Sequence, residues 1–273
     1  MRKLFSKIAA FALAAVACFG ASACQKDTLV VYTEAGFAPF EYVSGRKIVG
    51  VDIDIMNKVG KKLGKRVVFE DVPFDTIVDA VAEGKLTNVG AAGISITPER
   101  QEKVAFSNEY YTANLYVIYK TSEKSTYESP TTDGVKGVYW DNMVGKKIAI
   151  QSGTTADLFL GDELDSGVFK DTNTARVAFD SLATAVADLN LESDVLIIDE
   201  LPAKSLIAGK SDLTCAPLYY KGGDGENDEA AVDTYAICVT KGQTELLNAI
   251  NEVLAELGEA GIQALVNQHL GLD

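Results

Sequence analysis

Residues 88–100 read NVGAAGISITPER, and this stretch decides the fold. Val89 to Ile94 is an unbroken apolar run of strand character, short enough to be a strand covered on both faces. It breaks at Thr97-Pro98, where threonine suits the cap of a following helix and proline its first position. Arg100 then falls in the first helical turn, at the positive end of the helix dipole, where a cation is disfavoured by about 0.3–1 kcal/mol. A planar guanidinium in such a place suits an anion, since it fits a carboxylate bidentately. Taken alone, the motif equally allows a surface arginine paired with Glu99 or Glu102.

Outward from this strand the chain alternates strand-like and helix-like units. On the N-terminal side, TLVVYTE (28–34) and RVVFEDV (66–72) read as strands. Between them Ile55, Met56, Val59 and Leu63 form one helical stripe that ends at Gly64. The next helix, over FDTIVDAVAEG, buries Ile77, Val78 and Val81, is expected to be capped by Asp75, and stops at Gly84. On the C-terminal side ANLYVIYK (113–120), KKIAIQSG, SDVLIIDE and YAICVTKG read as strands, while TTADLFLG, ARVAFDSLATAVADLN and LPAKSLIAG read as helices. The closing helices carry Leu247, Ile250, Val253, Leu254 and Leu257 as a stripe. Two successive α/β units of about 100 residues account for this order most simply.

In open α/β sheets a ligand crevice lies beyond the carboxyl ends of the strands, where helix N-termini offer N–H groups to an anion. Besides the opening stretch, the junctions TEAGFAPFE, PFDTI, QSGTTAD and IIDE stand there. Thr154 and Thr155 would present hydroxyls and backbone N–H groups to a carboxylate, and Asp199 an anion to an ammonium group. Ser95 and the Gly93 carbonyl could accept hydrogen bonds from the same ammonium. Phe37 and Phe74 lie in loops after strands, as rings for stacking or as core plugs.

Charge and cysteines narrow the function classes. The chain opens MRKLFSK, then an apolar run Ile8–Ala21, then SACQK, the arrangement of a secretory signal peptide at 1–23. Ala21-Ser22-Ala23-Cys24 resembles a bacterial lipobox, although leucine is usual where Ala21 stands; it implies lipidation at Cys24 and a short linker, 24–27. With Arg2, Lys3 and Lys7 removed, the 25 basic residues fall to 22 against 39 acidic ones, and the net charge moves from −14 to −17. Phosphate backbones would repel such a chain, so nucleic acid is excluded as a partner. Cys215 and Cys238 lie in apolar strand-like runs and read as buried free thiols. There is no Cys/His metal spacing, and His269, the only histidine, leaves histidine-based catalysis without a base near the junctions. Neither a metal nor another cofactor is expected.

Together these junctions resemble the polar amino-acid-binding family of solute-binding proteins of ABC importers, and the similarity runs from TLVVYTEAGFAPFEY to YAICVTKG. The resemblance implies a two-lobed α/β periplasmic-binding-protein type II fold, each lobe a mixed, mostly parallel sheet flanked by helices, joined by a two-segment hinge. The first lobe would comprise 28–112 with 233–273, the second 113–218, and 219–232 an extended hinge-loop insertion, which would place Cys215 and Cys238 in different lobes. It implies that Arg100, with Thr154 and Thr155, clamps a ligand α-carboxylate, and that Asp199, Ser95 and the Gly93 carbonyl hold the α-ammonium. Phe37 and Phe74 would sandwich the side chain, with Glu34 and Gln151 touching its polar groups. A polar or basic free amino acid is the expected ligand, an ABC permease the membrane partner, and a lipid-anchored, extracytoplasmic monomer without enzymatic activity the expected form. Two alternatives use the same pocket: a tethered sensor or adhesin, and a cyclohexadienyl dehydratase with Glu200 as acid.

Overall fold

The computed structural model describes residues 28–189, 191–223 and 226–272. The signal peptide, the linker and Cys24 lie outside these residues. Strand β1 (Thr28–Thr33) is followed, after a small three-stranded sheet at 36–49, by helix α1 (Val51–Leu63). Then come β2 (Arg66–Asp71), α2 (Phe74–Glu83), β3 (Val89–Ser95), α3 (Pro98–Lys103) and the ten-residue β4 (Tyr111–Lys120). The second half continues through β5 (Lys147–Gln151), α4 (Thr155–Asp165), β6 (Ala175–Phe179), α5 (Leu182–Asp188), β7 (Val195–Asp199) and α6 (Glu200–Leu206). It closes with β8 (Leu213–Tyr220), β9 (Val232–Val239) and α7 (Thr244–Leu270), which Gly258 interrupts with φ 58°.

Strand pairing divides the molecule into two lobes. In the first, β1 lies between β2 and β3, all parallel, and β9 adds antiparallel to β3. In the second, β5 lies between β6 and β7, all parallel. Strand β4 serves both. Its start, Tyr111–Asn114, pairs antiparallel with Tyr235–Val232 of β9, and its continuation, Leu115–Ile118, pairs with Asp199–Leu196 of β7. Two adjacent strands therefore run between the lobes, and each changes partners within a few residues. Residues of 219–232 turn back on β8, with Tyr219 and Tyr220 opposite Ala230 and Glu229.

Local chemistry explains most element ends. All seven residues of β3 are buried, as expected of an apolar run covered on both faces. Thr97 caps α3 by accepting from the Arg100 amide, and Pro98 occupies its first turn. Gly64 and Gly84 end α1 and α2 with φ of 65° and 64°. Two expectations need correction. Helix α2 begins at Phe74 with Pro73 at the cap and no capping side chain, so Asp75 lies inside the first turn, favourable to the dipole, and is not the N-cap. The run ARVAFDSLATAVADLN is not one helix: Ala175–Phe179 is a strand beside β5, and the helix starts after Ser181, whose hydroxyl accepts from the Thr184 amide. The β-branched and aromatic residues Val177 and Phe179 suit that strand, and the serine cap fixes the boundary.

His269 belongs to this framework. Its Nε2 lies 2.9 Å from Asp54 Oδ2 and its Nδ1 3.2 Å from the Tyr42 hydroxyl, which ties the end of α7 to α1 and the small sheet. Cys215, half-buried on β8, and Cys238, buried on β9, are free thiols. Among the described residues no helix is long and apolar enough to cross a membrane.

Candidate functional site

The carboxyl ends of β1, β3, β5 and β7 converge between the lobes on one cavity. Nine of the ten residues expected from sequence line it: Glu34, Phe37, Phe74, Gly93 and Ser95 from the first lobe's elements, and Gln151, Thr154, Thr155 and Asp199 from the second's. Glu41, Ala92 and Asp233 complete the lining. The tenth, Arg100, lines the adjoining cavity beyond Phe74, with Asp75, Gly153 and Leu158. Its guanidinium carbon sits 5.6 Å from the centre of the Phe74 ring, which lines both cavities.

Arg100 is 8% exposed, and both terminal nitrogens already have acceptors. Nη1 donates to the Ser95 carbonyl at 2.6 Å and Nη2 to the Gly153 carbonyl at 2.9 Å. Since Ser95 ends β3 and Gly153 precedes α4, the guanidinium bridges the two lobes. Burial pulls it below the usual arginine range, opposed by the charge of Asp233.

The floor of the cavity is made by Gly93 and the rings around it. Gly93 has φ +54°, and a Cβ there would stand 2.8 Å from Phe37 Cε1, so the position requires glycine on two grounds. Its amide donates to Asp52 Oδ2 at 3.0 Å, and Tyr110 holds the other oxygen of that buried carboxylate. Phe37 packs against Phe40 and Tyr235 at 5.9 and 6.0 Å between ring centres. It is thus both a core ring and a wall of the cavity.

Hydrogen-bond capacity is lopsided. The Thr154 hydroxyl caps α4 by accepting from the Asp157 amide and donates to the Gln151 carbonyl. The Ser95 and Thr155 hydroxyls both donate to Asp233 Oδ2, Ser95 at 2.6 Å, while the Thr234 amide donates to Asp233 Oδ1. By contrast both Glu41 oxygens and Asp199 Oδ1 are buried without a hydrogen-bond partner. Unpaired buried acceptors are costly, typically about 1–3 kcal/mol each. The cavity holds four carboxylates, its side-chain hydroxyls are spent inside the protein, and no cationic side chain lines it.

This crowding raises the carboxyl groups. Burial and the Asp233 charge push Asp199 up to about 8, against the Tyr235 hydroxyl, which pulls the other way. Burial, then the charges of Asp52 and Glu34, holds Glu41 well above the usual carboxylate range. Burial and Asp71 raise Glu34, partly offset by the Gly36 amide and Gln151. Each of these shifts is what burial among like charges produces. Among the described residues there is no group of three or more His, Cys, Asp or Glu arranged to hold a metal ion.

Sequence reasoning missed Glu41 and Asp233. The signal for Asp233 was present: with period two it falls in phase with the buried Ala231, Tyr235 and Ile237, whereas its acidic neighbours precede the strand. Glu41, between Phe40 and Tyr42 in a short hairpin, carries no such signal.

Two lobes, shared strands and a crevice at the strand ends define a bilobal binding protein. The chain belongs to the family of bacterial extracellular solute-binding proteins, family 3, which it matches over residues 29–271. It is 27% identical over 256 residues to the putative ABC transporter arginine-binding protein 2 of Escherichia coli, covering 91% of this chain and 92% of the relative. It is 25% identical over 252 residues to the L-cystine-binding protein TcyJ of Escherichia coli, covering 91% and 85%. Among solved structures it resembles the amino acid ABC transporter substrate-binding protein AbpA of Streptococcus pneumoniae bound to L-arginine. That likeness has a TM-score of 0.76 and 28% identity, over 91% of this chain and 96% of that one.

Proposed function

We propose that this protein is the extracytoplasmic substrate-binding component of an ABC importer and that it captures a free basic amino acid, arginine or lysine, for delivery to a membrane permease. The observation that carries this reading is the cavity itself: four carboxylates and two aromatic walls, with buried acceptors unpaired and no lining cation. A guanidinium or ammonium side chain supplies the missing donors to Glu41, pairs with the charge of Glu34 and stacks on Phe37 and Phe74. Asp199 takes the α-ammonium. The α-carboxylate is left to the start of α4 and to the N–H groups of Arg100 not used on Ser95 and Gly153.

Closure about β4 and β9 brings these halves together and excludes water, which strengthens each charged contact. The relatives that bind arginine support the choice of side chain. Acidic ligands are disfavoured because their side-chain carboxylate would join four others. The protein works as a monomer, held to a membrane by the lipid on Cys24; Cys24→Ala should release it into the soluble fraction.

A thermal-shift screen of the twenty amino acids tests the function. Stabilisation by arginine and lysine and none by glutamate or aspartate is expected. Stabilisation by acidic ligands alone would overturn the reading.

A further inference from the structure

Asp233 is a carboxylate surrounded by the protein's own donors. It lies on β9 where that strand runs between the lobes, opposite Ala113 of β4, and it is buried together with Ser95 and Thr155. Its Oδ1 accepts from the Thr234 amide at 2.8 Å. Its Oδ2 accepts from two hydroxyls, that of Ser95 at the end of β3, at 2.6 Å, and that of Thr155 at the start of α4. A carboxylate only accepts, and a hydroxyl has a single proton to give. Both hydroxyl oxygens therefore keep only lone pairs for the cavity that Ser95 and Thr155 line.

We propose that Asp233 is a positioning residue for the α-ammonium of the ligand: it takes the Ser95 proton and so fixes the Ser95 oxygen as an acceptor in the cavity that Asp199 also lines. The same bond at Thr155 takes that hydroxyl away from the ligand carboxylate. What Thr155 offers the carboxylate is its backbone N–H, which stands at the first position of α4 and has no partner within the helix. The head group is thus sorted by polarity, hydroxyl oxygens for the ammonium and N–H groups, those of Arg100 included, for the carboxylate. The inference rests on the proposed function and deepens it by naming the residue that sets which way these hydroxyls point.

Asp233→Asn gives the test its sign. The Thr234 amide holds the oxygen of the new side chain at the Oδ1 position, so its NH2 group falls where Oδ2 stood, with one hydrogen for each hydroxyl. Ser95 then accepts from that group and turns its own proton toward the cavity, where it opposes an ammonium. Calorimetry on the intact mature protein compares L-arginine with L-argininic acid, in which a hydroxyl replaces the α-ammonium. Asp233→Asn should weaken L-arginine by about thirtyfold or more and L-argininic acid by about threefold or less. Loss of the Asp233 charge alone would also weaken arginine, so the same substitution is made in Ser95→Ala, where no Ser95 proton remains to turn. There the further loss of arginine affinity should shrink to about threefold or less. A further loss as large as in the parent overturns the inference, and so does an equal loss of both ligands in Asp233→Asn. Where circular dichroism shows that Asp233→Asn does not fold, Ser95→Ala alone carries the test: it should weaken L-arginine by about fivefold or more, and unchanged affinity overturns the inference. In each of these cases a parent that binds arginine leaves the proposed function standing. A parent that binds neither arginine nor lysine sinks the proposed function and the inference with it.

Discussion

The Ser95 hydroxyl donates to Asp233 Oδ2 at 2.6 Å, joining the end of a first-lobe strand to a strand that runs between the lobes. The Thr155 hydroxyl reaches the same oxygen from the second lobe. One internal carboxylate therefore gathers hydroxyls from both lobes.

Arg100 acts as a bridge between lobes in this geometry. Arg100→Ala removes two charge-assisted hydrogen bonds to backbone carbonyls, each worth roughly 1.5–3 kcal/mol when water is excluded. Arginine affinity measured by calorimetry should fall by about tenfold or more, and Arg100→Lys should restore little, because a single ammonium cannot span both carbonyls as the fork does. Unchanged affinity in Arg100→Ala would remove the bridge from the account.

Gly93→Ala should be destabilising. Its φ of +54° costs an alanine about 1–2 kcal/mol, and the new Cβ meets Phe37 Cε1 at 2.8 Å. Thermal unfolding should show a midpoint lower by several degrees. Ligand affinity should fall as well, because Phe37 must move off the cavity wall.

Glu41→Gln separates ligand binding from stability. The carboxyl group is buried, unpartnered and held well above its ordinary range by burial and the charges of Asp52 and Glu34. The amide should leave the ligand-free unfolding midpoint unchanged or higher, while arginine binding weakens by about tenfold or more, on the order of 1.4 kcal/mol. A large loss of ligand-free stability would mean that Glu41 serves the fold and not the ligand.

The pH dependence has a defined sign. Asp199 is raised from 3.8 to about 8 and Asp52 from 3.8 to about 6, so folding favours their neutral forms. Their stabilising contribution is whole below pH 3.8 and is lost as pH rises toward those folded-state values. Between pH 6 and 8 the ligand-free unfolding midpoint should decline through Asp199. Arginine affinity should rise over the same interval, because the ligand requires the ionised carboxylate. Titrations in buffers of different ionisation enthalpy should show protons released on binding.

Much of the fold was legible because its signals are local. Strand β3 announced itself as an uncharged run, Thr97-Pro98 as a helix start, and Gly64 and Gly84 as helix ends. The site was legible where its residues stand at strand ends, as Glu34, Ser95, Gln151 and Asp199 do. Two features depend on three-dimensional packing and were not legible. Arg100 stands over the Phe74 ring only because α2 and α3 pack as they do. Glu41 is buried by the small sheet that folds over α1. Asp233 did carry a signal, its phase with the buried Ala231 and Tyr235, although it follows an acidic loop. The strand at 175–179 was misread because Ala and Val in ARVAF continue into a true helical pattern without a glycine or proline between them.

The central claim is that the cavity selects positive charge. Calorimetric titration with L-arginine and with L-citrulline, its uncharged near-isostere, tests it most directly. Arginine should bind with a dissociation constant near micromolar or tighter, and citrulline about a hundredfold or more weaker, a difference of roughly 2.7 kcal/mol. Equal affinity for the two would show that the four carboxylates do not read the charge of the ligand, and would contradict the account.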